Sequence, residues 1–187
     1  SGCTALLVTG FGIRDSIKNV ADYQFNEISL YDYSVTLSNG ADADTEAKLL
    51  ETGGGTIQEC TFLNESTLDL LGEDETKSVN MVVSDGGLDA FIDLHYEGEK
   101  IAYPGPGEVA ICDALAERLG IAVGDTVTLR TNDMQSLEVK VSAIFQNYVF
   151  YYVYVNSETC LDQWGYAPEY KTAYVNVTDG TDVRASA

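Results

Sequence analysis

The sequence predicts an α+β domain with mixed, mainly antiparallel sheets and short helices. Three observations carry this. Strand-like stretches rich in β-branched and aromatic residues recur along most of the chain. Helical periodicity is confined to a few segments. Glycine, asparagine and aspartate punctuate the strands at close intervals without a βαβ rhythm. With 187 residues, 45% of them hydrophobic, the chain can bury a substantial core.

The elements follow in order. From Ala5 to Phe25, Leu6, Ile13, Ile17, Val20, Ala21 and Phe25 recur at helical spacings, and Arg14, Asp15, Lys18, Asn19 and Asp22 fall elsewhere on the surface. Residues 3–13, CTALLVTGFGI, carry no charge. They are too few to span a bilayer and read as the last turns of a longer apolar helix that becomes amphipathic near Arg14. A rival reading takes Ser1-Gly2-Cys3 as the end of a lipoprotein signal, with Cys3 as the lipid-bearing residue.

Residues 27–37 alternate as a strand, Asn39-Gly40 is a turn, and 43–52 form a short helix stopped by Gly53-Gly54-Gly55. Residues 56–63 and 66–71 are strand-like. The polar tip 72–75 and the strand 77–83 complete a long hairpin. A short helix or turn at 87–94 precedes the hard loop Pro104-Gly105-Pro106-Gly107.

The stretch 108–129, EVAICDALAERLGIAVGDTVTL, encodes strand, helix, stop, turn and strand. Asp113 is placed as N-cap, Gly120 as helix stop, and Gly124-Asp125 as the turn into a strand at 126–131. A strand at 137–146 and a continuous apolar strand at 148–155 follow. Ser157 is read as the cap of a helix ending at Trp164, and a last strand covers 170–178 before the polar tail 179–187.

Charge narrows the function classes. Thirty acidic against 10 basic residues give a net charge of −20. This argues against nucleic acid and anionic lipid surfaces as partners, because both are held by clustered Lys and Arg. Cys3, Cys60, Cys112 and Cys160 form no CxxC pair, and Cys112 lies in an apolar run where a buried thiol fits.

Candidate chemistry is sparse. His95 is the single histidine, no GxSxG elbow occurs, and no catalytic, cofactor-binding or metal-ligating set is assigned. Asp42, Asp44 and Glu46 have the spacing of early calcium-loop ligands. Ala47 and Gly53 then stand where such a loop needs Gly and Glu, so an acidic first helical turn explains them better. Gly53–Gly55 lacks the Lys-Ser or Lys-Thr of a phosphate cradle. Asn64-Glu65-Ser66 and Asn176-Val177-Thr178 are formal glycosylation triplets. The candidate partner surface is the aromatic run Tyr148, Phe150, Tyr152 and Tyr154 together with the acidic tip Glu73, Asp74 and Glu75.

The 108–129 stretch, followed by LEVKVSAIFQNYVFYYVYVN at 137–156, resembles the extracytoplasmic domain of FtsX/MacB-like ABC transporter permeases, which carry a related "LGIxxGDxVTL" segment. GCTALLVTGFGIRDSI at 2–17 resembles the exit of the first membrane helix in Gram-positive members. The resemblance implies a MacB-like periplasmic core fold with a long N-terminal helix. It also implies a membrane-anchored, non-enzymatic permease dimer that works with a cytoplasmic ATPase and acts outside the membrane on peptides, lipoproteins or cell-wall enzymes. No cofactor and no catalytic residue transfers with it. Arg14 and Asp15, where the helix meets water, are expected to position rather than react. By analogy the domain divides into residues 1–25 as helix end, 26–100 with 165–187 as a membrane-proximal lobe, and 101–164 as an inserted β-rich lobe. A cationic peptide is the ligand that the acidic charge suggests. The alternative remains a surface lipoprotein binding module anchored through Cys3.

Overall fold

Alternating apolar residues and one very long strand determine the architecture. The computed structural model describes residues 30–36, 57–72, 75–85 and 88–177. The helix expected at 5–25, the helix at 43–52 with its glycine stop, Cys3, the Asp42–Glu46 pattern, Glu73, Asp74 and the tail from 178 lie outside the described residues.

Ten strands, two short α-helices and a 3-10 turn at Leu88–Ala90 are described: β1 (Tyr33–Thr36), β2 (Ile57–Leu71), β3 (Thr76–Ser84), β4 (His95–Tyr96), β5 (Glu99–Lys100), β6 (Glu108–Cys112), α1 (Asp113–Leu119), β7 (Thr126–Arg130), β8 (Ser136–Phe145), β9 (Tyr152–Asn156), α2 (Ser157–Trp164) and β10 (Thr172–Val177). The main sheet runs β1-β10-β2-β3-β9-β6-β8-β7, and β7 also pairs with β2. That extra pairing, Asp69↔Arg130 to Leu71↔Thr128, closes six strands into a barrel with no free edge. β3 with β9 and β6 with β8 run parallel, and the other pairs run antiparallel.

β2 ties the molecule together. The expected break at 64–65 is absent, and one strand of 15 residues continues through it. What changes there is the partner. Residues 57–63 pair with β10, and 64–71 pair with β3. At the changeover the Asn64 amide donates to the Glu169 carbonyl at 2.7 Å, and the Lys171 N–H donates to the Leu63 carbonyl. These bonds satisfy polar groups that a strand switching neighbours would otherwise leave open. Strands on either side of residue 100 share one barrel. β3 pairs with β9 from Asn80↔Tyr152 to Ser84↔Asn156, and a single apolar cluster contains Leu63, Leu70, Val83, Ile111 and Val155.

Within the barrel the pleat separates inside from outside. Leu137, Val139 and Val141 point in while Ser136, Glu138 and Lys140 point out. Each fully buried aliphatic side chain contributes about 1.5–3 kcal/mol relative to exposure. The segment between β3 and β6 adds Leu88, Phe91, Ile92 and Leu94 to the same cluster.

Two capping expectations are corrected. Cys112, not Asp113, is the N-cap of α1. Asp113 is the first helical residue, and its carboxylate accepts from the Ala114 N–H at 2.8 Å. Asn156, not Ser157, caps α2 by accepting from the Glu158 N–H at 3.0 Å. The Ser157 hydroxyl donates instead to the Asp85 carboxylate. In both cases the helix starts as soon as the strand ends, so the residue at the junction takes the cap. The glycines behave as read. Gly120 ends α1 at φ 67°, and Gly124 turns the chain at φ 100°, where Asp125 accepts from the Ala122 N–H at 2.8 Å.

Candidate functional site

The parallel pairing of β3 with β9 starts β9 partway along the β2–β3 hairpin, with Tyr152 opposite Asn80, on the side that leads back toward the hairpin tip. The Asn80 N–H donates to the Tyr151 carbonyl at 2.8 Å, just where β9 begins. β6 runs antiparallel to β9, so α1 starts at the same end. β10 pairs with the other half of β2, and β1 pairs with β10. The two ends of β2 are separated by a contour of about 45 Å at the usual rise of an extended strand.

The aromatic run divides at this end. The expected strand 148–155 begins only at Tyr152, because residues 146–151 form a loop. Asn147, 6% exposed, shapes it. Its amide donates to the Val149 carbonyl at 2.7 Å and the Phe150 carbonyl at 3.0 Å, and its backbone N–H donates to the Asp113 carboxylate at 3.4 Å. The Gln146 N–H is held by the His95 carbonyl. Phe150 is thereby kept at φ 62° with 72% of its surface exposed, and Tyr148 is half exposed. An aromatic residue in the left-handed region is uncommon and costs of the order of 1–2 kcal/mol.

Tyr152 is partly buried, and Tyr154 lies in the core at 6% exposure. The Tyr154 ring meets Phe145 edge-on at 5.2 Å and Tyr103 at 6.1 Å. Of the four aromatics in the expected surface, Tyr154 is removed from it by this packing, and Tyr148 and Phe150 are presented. The Asn147 latch and the backbone of Phe150 had not been read from the sequence. The signal for them was Asn147 itself, a turn-former placed ahead of an apolar run.

At the hairpin tip, Glu75 is engaged. Lys77 Nζ lies 2.6 Å from its carboxylate, and Arg118 Nε and Nη2 each lie 3.3 Å away. The Lys77 ammonium first, then the Arg118 guanidinium, hold the Glu75 carboxyl below its ordinary range. The negative charge expected there is therefore matched within the chain at Glu75. Between the tip, the end of α1 and the start of β7 lies a cavity of about 330 Å³ lined by Leu71, Gly72, Leu119, Gly120, Ile121, Asp125, Thr126 and Val127.

His95 is buried, with Nδ1 3.1 Å from the Asp93 carbonyl and 3.4 Å from its carboxylate. Cys112 and Cys160 are buried, and loss of solvation raises both thiols, Cys160 to about 11. This disfavours the thiolate that a nucleophile needs. Among the described residues, no three His, Cys, Asp or Glu side chains converge to hold a metal. No described helix is long and apolar enough to cross a membrane.

No protein-family model and no curated protein sequence matches this chain. Solved structures do. The extracellular domain of the noncanonic ABC-type transporter YknZ from Gram-positive bacteria superposes with a TM-score of 0.53 at 13% identity, covering 85% of this chain and 87% of that one. The periplasmic region of MacB from Actinobacillus actinomycetemcomitans gives a TM-score of 0.49 at 12% identity, covering 82% of this chain and 77% of that one. At such identities the likeness concerns the backbone, and the chain has the fold of the extracellular domain of the ABC-type transporter YknZ.

Proposed function

We propose that this chain is the extracytoplasmic domain of an FtsX/MacB-like ABC transporter permease, non-enzymatic, which binds a partner and couples ATP-driven motion across the membrane. The single observation that carries the reading is the fold shared with the YknZ extracellular domain over most of both chains. The LGIAVGDTVTL segment supports it, since it forms the helix stop and turn beside the candidate site. On this reading the permease dimerises, and a cytoplasmic ATPase supplies the energy.

The partner is received at the barrel end that carries Tyr148, Phe150 and the cavity. β10 pairs with the opposite half of β2, and β1 pairs with β10. Exposed aromatics are strong anchors for protein contacts. Glu75 is already paired, so aromatic contact at Tyr148 and Phe150 anchors the partner, and the net charge of −20 contributes long-range steering toward a cationic peptide, lipoprotein or cell-wall enzyme.

The test uses the full-length gene product in its native membrane. Labelling of a cysteine introduced at Met134, which is 71% exposed, is expected from the outer side only, together with co-purification of an ABC ATPase. A protein released from the membrane by removing a lipid on Cys3, with no ATPase attached, would overturn the reading in favour of a lipoprotein module.

A further inference from the structure

Glu65 occupies an unusual setting on the outer face of the sheet, away from the barrel tip. It sits in β2 opposite Val82 and is exposed to solvent. The Tyr152 hydroxyl donates to its Oε1 at 3.2 Å. The ion pairs of the described residues form at Glu75, Asp93 and Glu169, and none forms at Glu65. Its surroundings are phenolic. Tyr31 stacks on Tyr174 with ring centroids 4.0 Å apart and planes 8° apart, and Tyr152 stacks on Tyr154 at 6.4 Å. Burial raises the Tyr174 and Tyr152 hydroxyls, and both also feel the charge of Glu65 and the neighbouring Tyr31. Tyr174 is covered, whereas Tyr31 and Tyr152 are only partly buried, so the group opens to solvent on one side. Beside it, Thr67 donates to the Asn80 side chain and extends a polar floor along the same strands.

A tyrosine rim closing a core accounts for Tyr154 and Tyr174. It does not account for a carboxylate set among them whose side-chain donor among the described residues is a neutral phenol. Aromatic faces carry negative electrostatic potential, and a carboxylate beside them adds a full charge, so the combination attracts cations and repels anions. We infer that Glu65, Tyr31, Tyr152 and Tyr174 form a binding site for an organic cation, an ammonium or guanidinium group. The carboxylate supplies the ion pair, Tyr152 orients it, and the half-open rings supply the cation–π contact. The group comes either from a free small cation or from a Lys or Arg side chain of a protein partner.

The experiment titrates the 187-residue chain with tetramethylammonium, with N-acetyl-lysine methylamide and with a short Lys-rich peptide, and follows tyrosine ring resonances by NMR. Saturable shifts of Tyr31 and Tyr152 are expected, with Kd on the order of millimolar for the small cations. Glu65→Gln should weaken binding by about tenfold, Tyr152→Leu by a similar factor, and Tyr152→Phe by about threefold at most, because the ring is kept. Glu65 is exposed, so the Gln variant is expected to fold, with far-UV circular dichroism as the check. Tighter binding of tetramethylammonium points to a free small cation, and tighter binding of the peptide points to a partner's side chain. Equal affinity of wild type and Glu65→Gln, or shifts confined to other tyrosines, would overturn the assignment. The site shares Tyr152 with the candidate partner surface but neither Tyr148 nor Phe150, and the permease reading rests on the shared fold, so failure here leaves that reading untouched.

Discussion

Tyr148–Tyr151 and Tyr152–Asn156 are adjacent halves of one apolar run, and they meet opposite fates. The second half is β9, hydrogen-bonded to β3 and β6, with Val153, Tyr154 and Val155 buried. The first half is a loop that leaves Tyr148 and Phe150 in solvent. Composition is nearly the same on both sides of Tyr151. What differs is backbone demand. β9 gains ladder bonds on both edges, whereas Asn147 captures the Val149 and Phe150 carbonyls and takes that segment out of the sheet. The proposed partner surface is thus built on an exposed aromatic held in a strained backbone next to a satisfied strand.

The largest way to test the β9 side is alkaline pH. Burial, before any neighbouring charge, raises the hydroxyls of Tyr154, Tyr103 and Tyr174 far above the phenol value of 10.0. The unfolded chain loses these protons near 10 and the folded chain retains them. The unfolded state therefore binds fewer protons above that pH, and stability falls as pH rises. Cys160, raised from 9.0 to about 11 by burial, begins the decline, and Tyr170, raised from 10.0 to about 12, continues it. Urea denaturation should give constant stability up to about pH 9 and a steep loss from there to about pH 11, with phenolate absorbance appearing together with unfolding. Stability unchanged to that point would mean that β9 is not buried as described.

Truncation separates the two halves next. Tyr154→Ala removes a ring packed against Phe145 and Tyr103 and should cost about 3–5 kcal/mol. Phe150→Ala removes a ring that is 72% exposed and should change stability by less than about 0.5 kcal/mol while weakening partner capture. Similar losses at both positions, measured by chemical denaturation, would erase the distinction.

The sequence made much of this legible, for reasons specific to each element. β7 and β8 follow from period-two alternation, β6 and the β2–β3 hairpin from β-rich apolar runs bounded by turn residues, and Gly120 and Gly124 from the left-handed conformations those turns require. The barrel closure was not legible, because the pairing of Asp69–Leu71 with Thr128–Arg130 joins residues distant in sequence whose local pattern says only "strand". The division at Tyr152 was hidden because an apolar aromatic run looks alike in a strand and in a surface loop. The pairing of Glu75 with Arg118 depends on α1 docking at the hairpin tip, which no local pattern encodes. Of the expected surface, Tyr148 and Phe150 were readable as aromatic and not as strained.

Asn147→Ala addresses what keeps the halves apart. It strands the Val149 and Phe150 carbonyls and removes a side chain that is nearly buried, so a loss of about 1–3 kcal/mol is expected. Amide exchange should quicken through residues 147–151 and stay slow in β9. Exchange that quickens equally in β9 would show that the loop and the strand form a single unit.

The smallest effect isolates the Phe150 backbone. At φ 62° any residue with a Cβ carries a left-handed penalty of about 1–2 kcal/mol, which glycine escapes. Glycine also loses about 0.5–1 kcal/mol more conformational entropy on folding, which offsets part of that relief. Phe150→Gly should therefore be more stable than Phe150→Ala by about 0.5–1 kcal/mol, although both lack the ring. If partner capture falls equally in the two variants while their stabilities differ in this direction, the ring makes the contact and the backbone strain is what it costs to present it. If Phe150→Gly is no more stable than Phe150→Ala, the loop relaxes once the ring is gone, and Phe150 itself, not the Asn147 latch, holds the left-handed turn.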